Sequence, residues 1–73
     1  MMDPVLLVNI LVACKTANII PNKADGFTEV SPSVIMFSGV KADKSYAKTG
    51  KGRHRRYVAV IYPNKIVIES YGN

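Results

Sequence analysis

The most regular part of this sequence is its C-terminal third, where two runs of β-prone residues, 57–62 and 65–71, flank Pro63-Asn64. Valine, isoleucine and tyrosine dominate both runs, and these residues are enriched in strands because they pack well on a pleated surface. Proline suits the first central position of a tight turn, and asparagine tolerates the second. The pattern therefore predicts a β-hairpin over residues 57–71.

The short turn also determines which side chains of the hairpin share a face. Pairing outward from the turn places Ile61 opposite Ile66 and Val60 opposite Val67. We predict that one face packs in the core beneath a helix, and this face carries Tyr57, Ala59, Ile61, Ile66 and Ile68. The other face mixes valine with tyrosine and charge, as a partly exposed or contact face would, and carries Arg56, Val58, Val60, Tyr62, Val67, Glu69 and Tyr71.

A helix is predicted near the other end of the chain, over residues 4–18. Asp3 can cap free backbone N–H groups, and Pro4 fits the first helical position, where its missing N–H would have no partner anyway. The alternative is a buried strand, because Val5, Val8 and other residues of this run are β-branched. The cap and the length of the run favour the helix.

This predicted helix is apolar on almost all sides, since its polar residues do not gather on one face. A helix of that kind is normally buried all round, and a chain of 73 residues has too little material to bury it. We therefore predict a homodimer or higher homo-oligomer, in which a second subunit covers the outer face of the helix. The alternative is a helix threaded between a sheet and its own loops.

The middle of the chain adds two weaker strand signals, at residues 27–30 and 34–40, after turn-forming residues at 21–26. Together these patterns predict an α+β fold in a single small domain, residues 1–73. In this fold an N-terminal helix packs on a small antiparallel sheet of three to four strands that ends in the hairpin.

Composition excludes several classes of protein. Cys14 is the only cysteine, so an intrachain disulfide is excluded and a reducing, cytoplasmic setting is expected. His54 is the only histidine, so neither a metal site nor another cofactor is predicted. The apolar run at residues 5–13 is shorter than the roughly 20 residues that span a bilayer, so no membrane partner is predicted.

Positive charge is concentrated in residues 41–56, which read KADKSYAKTGKGRHRR and are called the basic segment below. The basic segment holds seven of the ten Lys and Arg residues against one acid, Asp43, so its formal charge is +6. Gly50 and Gly52 favour a flexible loop. A concentrated cationic loop ahead of a β-ribbon indicates a polyanionic or acidic partner.

Non-catalytic nucleic-acid binding is the predicted function, because Lys and Arg neutralise phosphates and exposed tyrosines can stack on unpaired bases. The candidate contact residues are Lys41, Lys44, Lys48, Lys51, Arg53, His54, Arg55, Arg56 and Tyr57. The first alternative is a phage- or plasmid-type inhibitor or adaptor protein, which docks its basic loop onto an acidic surface of a partner that handles nucleic acid. The simplest alternative is a solvated loop that only contributes solubility.

His54 supports a second alternative, a metal-independent ribonuclease, because a neutral imidazole can act as a general base and nearby cations can stabilise the phosphorane charge. The segment Gly52-x-His54-x-x-Tyr57 resembles the Gly-Ser-His-x-x-aromatic segment of HicA-type toxins. These are small messenger-cleaving ribonucleases with a double-stranded-RNA-binding-like fold. The resemblance implies that His54 would be the catalytic base, although Arg53 stands where that family has serine.

Overall fold

The computed structural model describes residues 2–23 and 26–72. They form a main helix packed on a five-stranded antiparallel sheet, with a short second helix between the two central strands. In chain order the helices and strands are α1 (Pro4–Thr16), β1 (Ile19–Pro21), β2 (Thr28–Ser31), β3 (Val34–Lys41), α2 (Lys44–Thr49), β4 (His54–Tyr62) and β5 (Lys65–Ser70). The predicted α+β class is therefore confirmed.

Local signals set both ends of α1. The carboxylate of Asp3 accepts a hydrogen bond from the backbone N–H of Val5 at 2.9 Å, and Pro4 occupies the first turn. The helix ends at Thr16, slightly before the predicted end at residue 18. Asn18 then adopts a left-handed φ of 59°, a conformation that asparagine tolerates and that ends helices. The helix interpretation of this run is therefore confirmed, and the alternative of a buried strand is wrong.

Two short strands share one edge of β3. β1 pairs with the C-terminal half of β3, with Ile20 opposite Val40, while β2 pairs with its N-terminal half, with Thr28 opposite Met36. The sequence did not indicate β1, which adds a strand to the predicted sheet. β1 comes close because Gly39 has no side chain: a Cβ at this position would lie 2.8 Å from the carbonyl oxygen of Ile20.

The predicted hairpin is confirmed in its turn and its register. β4 and β5 are joined by Pro63-Asn64, and they pair Ile61 with Ile66 and Val60 with Val67. β4 begins at His54, before the predicted start at residue 57, so the last residues of the basic segment belong to this strand.

The core lies between α1 and one face of the sheet. Its buried residues come from α1, β1, β3 and β4 and are Ile10, Cys14, Ile19, Ile35, Phe37, Tyr57 and Ala59. Ile61, Ile66 and Ile68 of the hairpin pack against this cluster. The face of the hairpin that the sequence assigned to the core is therefore confirmed.

The outward side of α1 is apolar and exposed. Val5, Val8 and Val12 are 67%, 56% and 58% exposed, whereas Ile10 and Cys14 on the opposite side are buried. α1 is therefore apolar on both sides, as the sequence predicts. In the part of the chain that the structure describes, no helix is long and apolar enough to cross a membrane.

Candidate functional site

The basic segment contains a helix where the sequence predicts a flexible loop. α2 begins because the carboxylate of Asp43 accepts a hydrogen bond from the backbone N–H of Tyr46 at 3.1 Å. It ends because Gly50 adopts a left-handed φ of 70° and donates its N–H to the carbonyl of Tyr46. Lys41 closes β3 and His54 opens β4. Most of the predicted loop therefore belongs to β3, α2 or β4.

Gly52 lets the chain return closely to β3 after α2. A Cβ at Gly52 would collide with Cγ1 of Val40 and would lie 3.2 Å from Cδ2 of Tyr46. The missing side chain therefore leaves room for Tyr46, which is half-buried, beside the start of β4. This packing positions α2 and its lysines next to the first residues of β4.

All Lys, Arg and His candidates of the basic segment are exposed, and they lie on the connection between β3 and β4 or at the strand ends that it joins. They are Lys41, Lys44, Lys48, Lys51, Arg53, His54, Arg55 and Arg56. Lys41 also has a structural contact, because its Nζ donates a hydrogen bond to the carbonyl of Ala17 at 3.0 Å. A cation is favoured there, at the C-terminal end of α1, by the helix dipole.

The strand geometry of β4 divides its first side chains between two faces, since successive residues of a strand point to opposite sides. Arg55 shares the α1 side of the sheet with Tyr57, whereas His54 and Arg56 share the other side. Arg56 lies directly opposite Ser38 of β3. The side of the sheet away from α1 therefore carries an imidazole and a guanidinium group on one strand.

A polar cleft of about 320 Å³ opens beside these groups and is lined by Asn22, Ser38, His54, Arg55, Arg56 and Tyr71. Tyr71 is 52% exposed. Its backbone N–H donates to the carbonyl of Arg56 at 2.8 Å, which fixes Tyr71 beside that residue. The cleft combines a cation, polar hydrogen-bonding side chains and an exposed aromatic ring, which are the groups that bind a phosphate and stack on a base.

Asn22 orients the imidazole of His54 within the cleft. Nδ1 of His54 lies 3.0 Å from Oδ1 of Asn22. Because an amide oxygen only accepts, Nδ1 is the donor, and Nε2 is the nitrogen with a lone pair when the ring is neutral. Asn22 and Ser38 were not predicted as site residues from the sequence. No motif links them to His54, and only the pairing of distant strands brings them together.

Tyr57 lies in the core rather than on the predicted contact surface. It is 4% exposed, and its ring stacks on Phe37 with centroids 5.7 Å apart. Strand alternation explains this placement, because Tyr57 follows Arg56 and so points to the α1 side. Tyr71, which the sequence places on the opposite face of the hairpin, is the tyrosine that lines the cleft.

The rest of the described chain offers little other chemistry. Cys14 is buried, and desolvation raises the pKa of its thiol to about 11, so the reactive thiolate is disfavoured. Within residues 2–23 and 26–72, no group of three or more His, Cys, Asp or Glu side chains could hold a metal ion.

Comparisons with known proteins add no candidate function. The chain matches no protein-family model, no curated protein and no solved structure. The chemistry of the basic segment and the cleft is therefore the basis for assigning a function.

Proposed function

We propose that this protein binds nucleic acid without catalysis, through the basic segment and the adjoining polar cleft. The observation that carries the proposal is the cleft, where Arg56, His54 and the exposed ring of Tyr71 lie together. Arginine can form two parallel hydrogen bonds to phosphate oxygens, and an exposed aromatic ring can stack on a base. The core lies on the other side of the sheet, so these groups are available to a ligand.

The charge distribution supports a polyanionic partner. The basic segment has a formal charge of +6 in a chain whose net charge is +5, so the remaining residues sum to −1. Each phosphate that a cation neutralises releases counterions, so affinity falls with salt by a log–log slope of about 0.7 to 0.9 per contact. Lys41 is expected to contribute less to phosphate binding, because its ammonium group already donates a hydrogen bond to the carbonyl of Ala17.

The proposal is tested with fluorescent single-stranded and double-stranded oligonucleotides in a salt series. Arg55→Glu with Arg56→Glu is expected to weaken binding strongly and to reduce the salt slope by about 1.4 to 1.8, because two phosphate contacts are lost. The matched control is Lys15→Glu with Lys23→Glu. These exposed lysines lie outside the basic segment, and the control changes the net charge equally. Fluorescence anisotropy measures each affinity.

Two results would contradict the proposal. One is wild-type binding weaker than about 100 μM at physiological salt, which is only the level of nonspecific attraction. The other is equal loss of binding in both double variants, because the cleft would then contribute nothing beyond net charge. The first result would favour the alternative of an inhibitor or adaptor, whose basic segment docks onto an acidic surface of a partner protein. The second would reduce the observed binding to nonspecific attraction by net charge.

His54 separates the proposed function from the ribonuclease alternative. Its hydrogen bond to Asn22 leaves Nε2 able to take a proton from a ribose hydroxyl. We expect intact RNA after incubation with the wild-type protein. RNA cleavage by the wild type that disappears in His54→Ala, with binding retained, would instead establish the ribonuclease.

Self-association and location complete the proposal. The exposed valines of α1 support a homo-oligomer, since exposed apolar side chains on one side of a helix favour contact with another subunit. A cytoplasmic location is proposed because a small chain with one cysteine cannot use an intrachain disulfide for stability.

A further inference from the structure

The outer edge of β5 is open. β5 is the last strand of the sheet, and in the described part of the chain it pairs with β4. Three consecutive β-branched residues, Ile66, Val67 and Ile68, form its centre, without proline and in unbroken register with β4. Exposed edges of this composition pair readily with another strand.

Hydrogen bonding within the hairpin determines which backbone groups of β5 point outward. In an antiparallel pair joined by a two-residue turn, the first bonded pair lies next to the turn and bonded pairs recur at every second residue. The N–H of Tyr71, which donates to the carbonyl of Arg56, follows this alternation. Odd-numbered residues of β5 therefore bond to β4, and the N–H and C=O groups of Ile66 and Ile68 point out of the sheet.

We propose that two copies of this chain join their β5 strands antiparallel, about a two-fold axis at Val67. The outward backbone groups can bond only where an even-numbered residue meets another even-numbered one, which admits a two-fold axis at any residue of β5. The three registers nearest the middle of the strand have their axes at Ile66, Val67 or Ile68. Of these three registers, the one centred on Val67 places Lys65 directly opposite Glu69 of the second copy. Symmetry repeats this opposite-charge pair at the other end of the interface.

The side chains in this register are complementary throughout. Lys65 opposite Glu69, and Val67 opposite its own copy, are pairs without mutual backbone hydrogen bonds, in which side chains approach most closely. Ile66 meets Ile68 of the second copy as a bonded pair on the α1 side of the sheet. Opposite charges and β-branched residues directly across a strand pair are the combinations that stabilise it. No other partner is needed to satisfy this edge.

The same arrangement brings the helices of the two copies to one side of a continuous sheet. Directly opposed residues point to the same face, so both α1 helices lie on the same side. α1 packs against β5. The exposed Val12 lines a cleft of about 500 Å³ between α1 and the hairpin turn. The pairing of β5 strands therefore places the apolar flank of α1 near the second copy.

Charge reversal at the two ends of β5 tests the interface. Lys65→Glu alone and Glu69→Lys alone each create two like-charged pairs in the dimer, so each variant is expected to raise the dissociation constant about tenfold or more. The double variant Lys65→Glu with Glu69→Lys restores opposite charges and is expected to dimerise like the wild type. In the wild type, Nζ of Lys65 lies 5.3 Å from the centroid of the Tyr62 ring. Lys65→Glu and the double variant both lose this contact, so its loss cannot explain a difference between them.

Mixing the two single variants gives the sharpest comparison. The first then has two acids on β5 and the second has two lysines, so they are expected to form a heterodimer although each self-associates weakly. Sedimentation equilibrium measures the mass against the 8.0 kDa of one chain, and circular dichroism verifies that every variant is folded.

Three results would overturn this inference. The first is a wild-type protein that stays monomeric at all concentrations. The second is single variants that dimerise as tightly as the wild type, and the third is a mixture that fails to restore dimerisation. The inference does not depend on nucleic-acid binding, because it is argued from the pairing of β5 and from the charges of Lys65 and Glu69, and self-association is measured without nucleic acid.

Discussion

The hydroxyl of Tyr57 is buried and has no hydrogen-bond partner among the described protein groups. A buried hydroxyl without a partner costs about 1–3 kcal/mol. Tyr57→Phe keeps the ring that stacks on Phe37 and removes only this oxygen, so we expect the free energy of unfolding to rise by about 1 kcal/mol. Urea unfolding measures the change, and Tyr71→Phe is the control with an exposed hydroxyl. Loss of stability in Tyr57→Phe would contradict the prediction.

The thiol of Cys14 makes stability depend on pH in the alkaline range. Burial raises its pKa from 9.0 to about 11. The unfolded chain therefore releases this proton at lower pH than the folded chain does. This contribution to stability is complete below about pH 9 and is lost as pH rises toward 11. We expect the ionisation of this thiol to lower the free energy of unfolding, measured with urea, by about 2 kcal/mol between pH 8 and 10.5.

Cys14→Ala isolates that contribution. The variant lacks the thiol and is otherwise unchanged, so its stability should fall less over the same pH interval. Equal pH dependence in the variant and the wild type would show that the thiol ionises equally well in the folded chain.

Asp43 has a specific role in α2 that can be separated from its charge. Asp43→Ala removes the cap and the charge, whereas Asp43→Asn removes the charge and retains a good capping side chain. Loss of a cap costs about 1 kcal/mol, or about fivefold in a local opening equilibrium. In α2 the backbone N–H of Ala47 donates to the carbonyl of Asp43, and that of Gly50 donates to the carbonyl of Tyr46. We expect both amide protons to exchange about fivefold faster in Asp43→Ala than in Asp43→Asn.

Hydrogen exchange followed by nuclear magnetic resonance measures this difference. Equal exchange rates in the two variants would mean that a capping side chain at position 43 does not stabilise α2. Both variants raise the positive charge of the basic segment equally. A difference between them in oligonucleotide affinity would therefore come from the order of α2 and not from charge.

Helices and strands could be predicted where the local chain determines them. The hairpin register follows from a two-residue turn and the alternation of side chains, and α1 follows from its capping residues. β1 is only three residues long and forms through pairing with β3, so its own residues carry little signal. α2 has six residues and no buried side chain, so no apolar periodicity marks it.

The candidate site could be predicted only in part for the same reason. Arg55 and Arg56 stand in one visible run of charge. The polar cleft, in contrast, joins Asn22, Ser38 and Tyr71 from β1, β3 and β5 or the residues just after them. Their proximity depends on the order of strands in the sheet, which the sequence does not state locally. Burial of Tyr57 follows from the strand alternation, which assigns this residue to the core face of the hairpin, so the prediction that Tyr57 also contacts a ligand conflicted with that assignment.

The molecule as a whole has the cations of the basic segment at one end of β4 and the hairpin turn at the other. In the proposed dimer, Tyr71 of one copy lies beside the hairpin turn of the other. The two polar clefts are therefore offset by eight residues along the strand direction, or about 27 Å. A two-fold assembly of this kind would present two separated basic surfaces rather than one enlarged one, and a long polyanion could contact both.

The backbone hydrogen bond from Tyr71 to Arg56 holds Tyr71, and with it the neighbouring Gly72, beside the cleft. A fluorophore attached at Gly72, next to Tyr71, would therefore sit close enough to the cleft for its emission to respond when an oligonucleotide binds. In the proposed dimer the same position lies beside the hairpin turn of the second copy, so its emission would also respond to self-association. Dilution of the labelled protein without oligonucleotide would report the dimer alone, and titration with oligonucleotide at a fixed protein concentration would report the cleft.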